Sequence, residues 1–163
     1  MLKANASDYE QGGVQNYNYY HNINVLTIPC IFAFEYSNMV RILLFIGVGG
    51  FLGSTSRYLM HKWVHSIFTG SFPLGTMTVN IIGCFLIGII FGLSTKGNIQ
   101  SNEWKLFLTT GFCGGFTTFS AFSLENINLL KDGQLLSFFG YTGLSLVVGL
   151  GATVLGILLI KLF

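Results

Sequence analysis

Charged residues are scarce in this sequence. Asp, Glu, Lys and Arg make up 9% of the 163 residues, whereas an average soluble domain has about 25%. Hydrophobic residues reach 52% and mean hydropathy is +0.65. This composition excludes an ordinary soluble domain and predicts an all-α integral membrane protein. At about 20 residues per crossing, the chain has room for about four spans joined by short connections.

Catalytic and metal-binding clusters are lacking too. The residues that catalysis would need fall in the N-terminal segment, in a predicted loop or at predicted span ends: His21, His61, His65, Glu103, Glu125 and Asp132. We therefore expect no enzyme. The absence of a mid-span carboxylate also argues against a proton- or sodium-coupled pump, which needs a titratable relay.

The cysteines and the basic residues predict no binding site either. Cys30, Cys84 and Cys113 are odd in number and widely spaced, which predicts neither a disulfide framework nor a zinc site. A net charge of +2 with scattered basic residues forms no basic face, so nucleic acid is not an expected partner.

Residues 1–38 differ from the rest of the chain, because Asn, Tyr, Gln and Gly dominate them. The apolar run 23–34 is interrupted by Pro29, is too short to span and lacks a basic flank typical of a signal peptide. We expect a non-conserved or disordered N-terminal extension over 1–38, with Met39 as the natural start, and a four-helix membrane domain over 39–163. The alternative is a segment around 23–34 that lies on the membrane surface.

Four spans are predicted, at about 40–60, 74–93, 103–130 and 135–160. Pro73 suits a helix start before the second span. Gly49 and Gly53 form a GxxxG pair that allows close helix approach. Ala152 and Gly156 give a second close-packing pair.

The third span is poorly suited to a continuous helix. Its centre, residues 111–122, reads GFCGGFTTFSAF. Each glycine lowers helix propensity by about 1 kcal/mol relative to Ala, and the hydroxyl side chains compete for backbone hydrogen bonds. We expect a broken helix of the kind that exposes carbonyls and amides to ions. The alternative is a tightly packed, glycine-rich helix crossing.

Basic residues divide almost evenly between the two sides of the predicted spans. Four lie on one side and three on the other: Arg41, Lys96, Lys105 and Lys161 against Arg57, Lys62 and Lys131. The positive-inside rule therefore gives little orientation preference. Because four spans enclose no wide path, an antiparallel dimer of oppositely inserted copies is favoured.

Several side chains in the spans have a functional and a structural interpretation. Asn80 offers amide donors to an anion, or forms an interhelical hydrogen bond of about 0.6–2 kcal/mol. Arg57 either snorkels to the interface or concentrates anions at a pore mouth. Phe119 and Phe122 present positive ring edges or simply pack.

Taken in series, these pieces resemble the CrcB (Fluc) fluoride-channel family. The matching residues are Gly49-Gly50-Phe51-Leu52-Gly53 with Arg57-Tyr58, Pro73-Leu74-Gly75-Thr76 with Val79-Asn80 and Gly83, then residues 111–120 with Phe122, and Tyr141 with Ser145. The resemblance covers about Met39 to the end. Ala121 is a departure, since the family often has a hydroxyl residue there.

The resemblance implies a dual-topology antiparallel homodimer with two fluoride pores in the cell membrane. Asn80 would donate to fluoride, and Phe119 and Phe122 would present ring edges. Further pore lining would come from Thr76, Ser120, Tyr141, Ser145 and Arg57. Backbone carbonyls of Gly114 and Thr117 from both subunits would hold a structural Na⁺ at the dimer centre.

The expected function is passive export of cytoplasmic fluoride, which reduces fluoride toxicity. One alternative is a small coupled multidrug-type transporter, and another is a non-conducting membrane assembly subunit. The expected partners are fluoride, the lipid bilayer, and a second copy or a paired homologue.

Overall fold

The computed structural model describes residues 27–68, 70 and 72–162. Within these residues all regular structure is helical, as the composition predicted. The elements in chain order are α1 (Thr27–Ile67), α2 (Leu74–Thr95), α3 (Asn102–Leu106), the π-helix π1 (Phe107–Cys113), α4 (Gly114–Phe116), α5 (Phe119–Lys131) and α6 (Leu135–Leu162). Three helical segments are long and apolar enough to cross a membrane: Asn38–Ile67, Leu74–Thr95 and Leu135–Leu162.

The helix ends agree with the sequence at most positions. Helix α2 begins directly after Pro73, as predicted, and ends at Thr95. The loop predicted from His61 is wrong over its first part, because α1 continues to Ile67. No glycine or proline occurs between Met60 and Ile67, so no helix-breaking residue ends α1 earlier.

The chain divides into two compact units, residues 1–40 and 41–163. The first 26 residues of the predicted extension lie outside the described residues, and so does the start of the alternative surface segment at 23–34. Residues 27–38 are helical, as the first part of α1. Whether the membrane domain begins at Met39 remains a prediction.

Helix α1 approaches π1 and α4 through glycines on both sides. A Cβ on Gly49 would lie 2.5 Å from the Phe107 carbonyl oxygen, and one on Gly115 would lie 2.6 Å from the Gly50 carbonyl oxygen. Gly53 is packed as closely, against the Phe112 carbonyl. The predicted GxxxG pair, Gly49 and Gly53, therefore allows close backbone contact. A side chain larger than a hydrogen atom would not fit at either position.

Helices α2 and α6 also pack at close range. A Cβ on Gly92 would lie 2.9 Å from the Cβ of Ile160, while Gly88 and Gly156 each face backbone atoms of the opposite helix. The Thr153 hydroxyl donates to the Cys84 carbonyl at 3.1 Å. Small residues on both helices therefore allow this close packing.

The helical backbone of residues 102–131 is interrupted at two residues. Thr117 (φ −79°, ψ 157°) and Thr118 (φ −148°, ψ 116°) are extended, between the end of α4 and the start of α5. The Thr118 hydroxyl accepts from the Ala121 N–H at 3.3 Å, so Thr118 is the N-cap of α5, a role suited to threonine. Before the interruption, π1 occupies seven residues, and π-helical segments often occur at functional sites.

Candidate functional site

Asn80 of helix α2 forms hydrogen bonds with the backbone of the interruption. Its Nδ2 donates to the Thr118 carbonyl at 3.1 Å, and its Oδ1 accepts from the Thr118 N–H at 2.8 Å. In a continuous helix that N–H would pair with the carbonyl of Gly114. Asn80 therefore binds both backbone groups of Thr118, including the N–H that has left the helical pattern, and one N–H of its amide is left over.

Arg57 binds the neighbouring residue from helix α1. Its Nη1 donates to the Thr117 carbonyl oxygen at 3.2 Å, and the Arg57 side chain is half-buried. The Thr117 hydroxyl donates to the Cys113 carbonyl at 2.9 Å. The Arg57 guanidinium thus donates to a backbone carbonyl, a contact that the sequence alone did not suggest.

The two predicted phenylalanines are neighbours just after the interruption. The ring centroids of Phe119 and Phe122 are 5.8 Å apart, and those of Phe122 and Tyr141 are 5.0 Å apart. Phe119 is 79% exposed in the single chain. A ring this exposed is available to contact whatever lies against this face, whether an ion, lipid or a second subunit.

A cavity of about 470 Å³ brings many of the predicted residues together. It is lined by Asn80, Gly114, Thr117, Phe119, Phe122 and Ser145, among others. The Oγ of Ser145 is buried and has no hydrogen-bond partner among the described residues. A buried hydroxyl without a partner is costly, so this wall of the cavity has a free donor.

A second cavity of about 440 Å³ shares Thr118 with the first in its lining. Its lining includes Arg57, His61, Thr76 and Glu125. The first cavity has aromatic rings and no charged side chain in its lining, whereas the second has one cationic and one anionic side chain.

Glu125 is the residue that sequence reasoning missed. Its Oε1 accepts from the Thr76 hydroxyl and its Oε2 from the Tyr141 hydroxyl, both at 2.6 Å. Thr76 is 2% exposed and Tyr141 is fully buried. One sequence feature could have indicated that Glu125 lies near the site. Glu125 follows Phe122 by three residues and so shares its helix face.

Two predicted pore residues line neither cavity. Tyr141 is inside the protein and holds Glu125. Ser120 is exposed, with its hydroxyl oxygen 3.3 Å from that of Thr118. The structure thus places Asn80, Phe119, Phe122 and Ser145 at one cavity, and Thr76 and Arg57 at the other.

Metal ligation by side chains has no support in the part of the chain that the structure describes. No group of three or more His, Cys, Asp or Glu residues there is arranged to hold a metal ion. The predicted sodium site uses backbone oxygens instead, and one of them fits. The Gly114 carbonyl has lost the Thr118 N–H to Asn80, which leaves an oxygen of the type that hard cations prefer.

Comparison with known proteins decides the family. The family model described as "CrcB-like protein, Camphor Resistance (CrcB)" matches residues 44–157, which include every site residue discussed above. The chain belongs to the CrcB-like family. This confirms the resemblance inferred from the motifs. The match begins after Arg41 and excludes the whole of residues 1–38.

Relatives in the CrcB-like family are similar over nearly their full length. A protein of Leptospira interrogans named "Fluoride-specific ion channel FluC" is 44% identical over 126 residues, which are 77% of this chain and 99% of the relative. Proteins of the same name from Gloeothece citriformis and Flavobacterium psychrophilum are 50% and 46% identical. The first covers 76% of this chain and 98% of the relative, and the second 75% and 98%.

Proposed function

We propose that this protein is a fluoride-selective channel, a multi-pass protein of the cell membrane that lets cytoplasmic fluoride leave down its gradient. The observation that carries the proposal is the interruption at Thr117 and Thr118, held by Asn80 beside the Phe119–Phe122 pair in one cavity. Membership of the CrcB-like family and the names of the relatives support it. A channel of this family is not an enzyme.

The cavity chemistry suits a small, strongly hydrated anion. The remaining Asn80 N–H and the Ser145 hydroxyl are donors, and aromatic ring edges carry partial positive charge. None of these groups holds a full charge, so an ion is bound without being trapped, as conduction requires. Thr76 and Arg57 would line the approach through the second cavity, and Ser120 would stand beside Thr118.

Four crossings and an antiparallel dimer complete the proposal. Residues 102–131 would form the third crossing as two helical halves around the interruption, which is tolerated in a bilayer only where it lines a cavity or is buried. The 79% exposure of Phe119 in one subunit and the even division of basic residues favour a second, oppositely inserted copy against this face.

A structural sodium ion is part of the same proposal. The carbonyls of Gly114 and Thr117, from both subunits, would hold it at the dimer centre. When bound, the ion would neutralise the partial negative charge of carbonyls that the interruption takes out of the helical hydrogen-bond pattern.

A coupled transporter is the second candidate, and Glu125 is the observation that favours it. A carboxylate that borders a cavity between membrane helices is the kind of group on which proton relays depend. Replacement of Glu125 by Gln separates the two candidates. A passive channel keeps a flux that follows the fluoride gradient alone, whereas a coupled transporter loses its dependence on a proton gradient.

The test is fluoride efflux from liposomes that contain the purified protein, read with a fluoride electrode, with chloride efflux alongside. We expect rapid fluoride release without chloride release. Equal release of both ions contradicts the selectivity. No release from a folded dimer favours a non-conducting assembly subunit, unless co-reconstitution with a paired homologue restores it.

A further inference from the structure

The guanidinium of Arg57 contacts an oxygen that the proposed sodium ion would also use. Arg57 Nη1 lies 3.2 Å from the Thr117 carbonyl oxygen. A guanidinium carries a formal positive charge. A carbonyl oxygen has two lone pairs, so one can accept the N–H while the other faces a cation.

No ion pair offsets this positive charge among the described residues. The one salt bridge found there joins Arg41 of α1 to Glu103 of α3 at 3.8 Å. It involves neither Arg57 nor the residues of the interruption. The carboxylate that borders the same cavity as Arg57 is Glu125, and its two oxygens are engaged by the hydroxyls of Thr76 and Tyr141. The guanidinium therefore acts on the Thr117 oxygen with its charge uncompensated by a direct partner.

We propose that Arg57 is a positioning residue that sets how tightly the interruption binds its cation. The inference rests on the proposed sodium site. Two cations on one oxygen repel each other strongly where the surroundings are poorly hydrated, so Arg57 weakens sodium binding. The same hydrogen bond holds the Thr117 carbonyl in place when sodium is absent, so the extended geometry depends less on the ion.

The side chain that binds Thr118 is uncharged, whereas the side chain that binds Thr117 is charged. Thr118 is held by the uncharged amide of Asn80, and Gly114 offers a carbonyl without the helical donor. Among the residues that the structure describes, only Arg57 brings a formal charge to the backbone of the interruption. Removing that charge while keeping a donor should change the affinity for sodium and leave the backbone conformation intact.

The test uses the full chain, purified in detergent, exchanged into choline chloride and equilibrated at increasing sodium and constant ionic strength. The thermal unfolding midpoint at each concentration gives the sodium needed for half-maximal stabilisation. Arg57→Gln keeps an N–H donor without the charge. We expect its half-maximal sodium to fall roughly tenfold below that of the wild type, because the Coulomb repulsion is gone.

Two variants are the matched controls. Arg57→Lys keeps the charge, and Arg41→Gln removes the same charge from an exposed position on the same helix. Both should keep the wild-type sodium requirement. If Arg57→Gln does not fold, Arg57→Met, which keeps the apolar stem, replaces it with the same expectation.

An unchanged or increased sodium requirement in the uncharged Arg57 variants overturns the inference, and so does an equal effect of Arg41→Gln. A wild type whose unfolding ignores sodium overturns both the sodium site and the role of Arg57. Fluoride efflux from the same preparations tests the channel function separately, so the two failures are distinguishable.

Discussion

Two parts of the molecule satisfy their backbone hydrogen-bonding groups in different ways. Helices α2 and α6 run without interruption and pack through Gly88, Gly92 and Gly156. Residues 102–131 pass through a π-helix and leave helical backbone at Thr117 and Thr118. In the regular pair, each helix provides its own hydrogen bonds and the neighbour provides contact.

The interrupted region depends on side chains from other helices for the same purpose. Asn80 of α2 and Arg57 of α1 replace hydrogen bonds that the extended residues cannot make within a helix. The difference shows that polar side chains lie where backbone hydrogen bonds within the helix are missing. Those places also carry the free donors and acceptors that an ion can use.

The largest effect should come from Asn80→Asp. The substitution puts a carboxylate against the Thr118 carbonyl and beside the proposed anion path, and removes both N–H donors. We expect fluoride efflux from liposomes to fall at least about a hundredfold, in line with the strong cost of an unpaired charge at a buried polar site. The matched control is Asn128→Asp, at an exposed position of α5, which should conduct normally. Wild-type flux in a folded Asn80→Asp dimer contradicts the assignment.

Gly88→Ala tests the regular helix pair. The added Cβ would overlap the Thr153 carbonyl of α6, so the helices must separate at a cost of about 1–3 kcal/mol in the free energy of unfolding. Denaturant unfolding in detergent measures it. Gly143→Ala, where a Cβ meets no atom within 4 Å, is the control. If both variants unfold alike, the close approach of α2 and α6 is wrong.

Phe119→Ile separates ring chemistry from packing. Isoleucine keeps an apolar side chain of moderate size and lacks the ring edge, so we expect fluoride flux to fall about tenfold, the equivalent of roughly 1.4 kcal/mol, which is in the range of a specific aromatic contact. Dimerisation, measured by cross-linking, should be unchanged. Phe139→Ile alters another exposed ring, one that lines neither cavity, and should leave flux intact. Unaltered flux in Phe119→Ile removes the ring-edge argument.

Tyr141→Phe tests the hydrogen bond to Glu125 and should have a modest effect on stability. It removes one donor to Glu125 at 2.6 Å from a fully buried position, which costs about 1–2 kcal/mol of unfolding free energy. Tyr58→Phe, on a side chain that is 65% exposed, is the comparison and should cost almost nothing. Equal stability of the two variants would show that the Tyr141 hydroxyl contributes no net stabilisation.

Sequence reasoning found the all-helical membrane class of the fold and named several of the residues that line the first cavity. Low charge and long apolar runs require helices in a bilayer, because the backbone must be satisfied locally. The glycine and threonine composition of residues 111–118 also predicted a broken helix, with a tightly packed, glycine-rich crossing as the alternative. Asn80, Phe119, Phe122 and Ser145 were named from the sequence, and they line one cavity.

The sequence could not find what depends on contacts between distant helices. Glu125 was placed at a span end, yet it binds Thr76 and Tyr141, which lie 49 and 16 residues away along the chain. Arg57 was given two exposed roles, and its partner Thr117 is 60 residues away. Neither pairing leaves a periodic signal in the sequence, since periodicity reports which face a residue occupies and not what it meets.

Composition and local propensity thus determined the class of protein and its three long apolar helices, because these follow from short-range sterics and hydration. Only the tertiary structure decided which side chains hold the backbone at Thr117 and Thr118. The approach of α1 and α2 to residues 107–118 depends on glycines such as Gly49 and Gly83 that fit together across helices. That fit is a property of pairs of surfaces, and it exists only once the helices have packed.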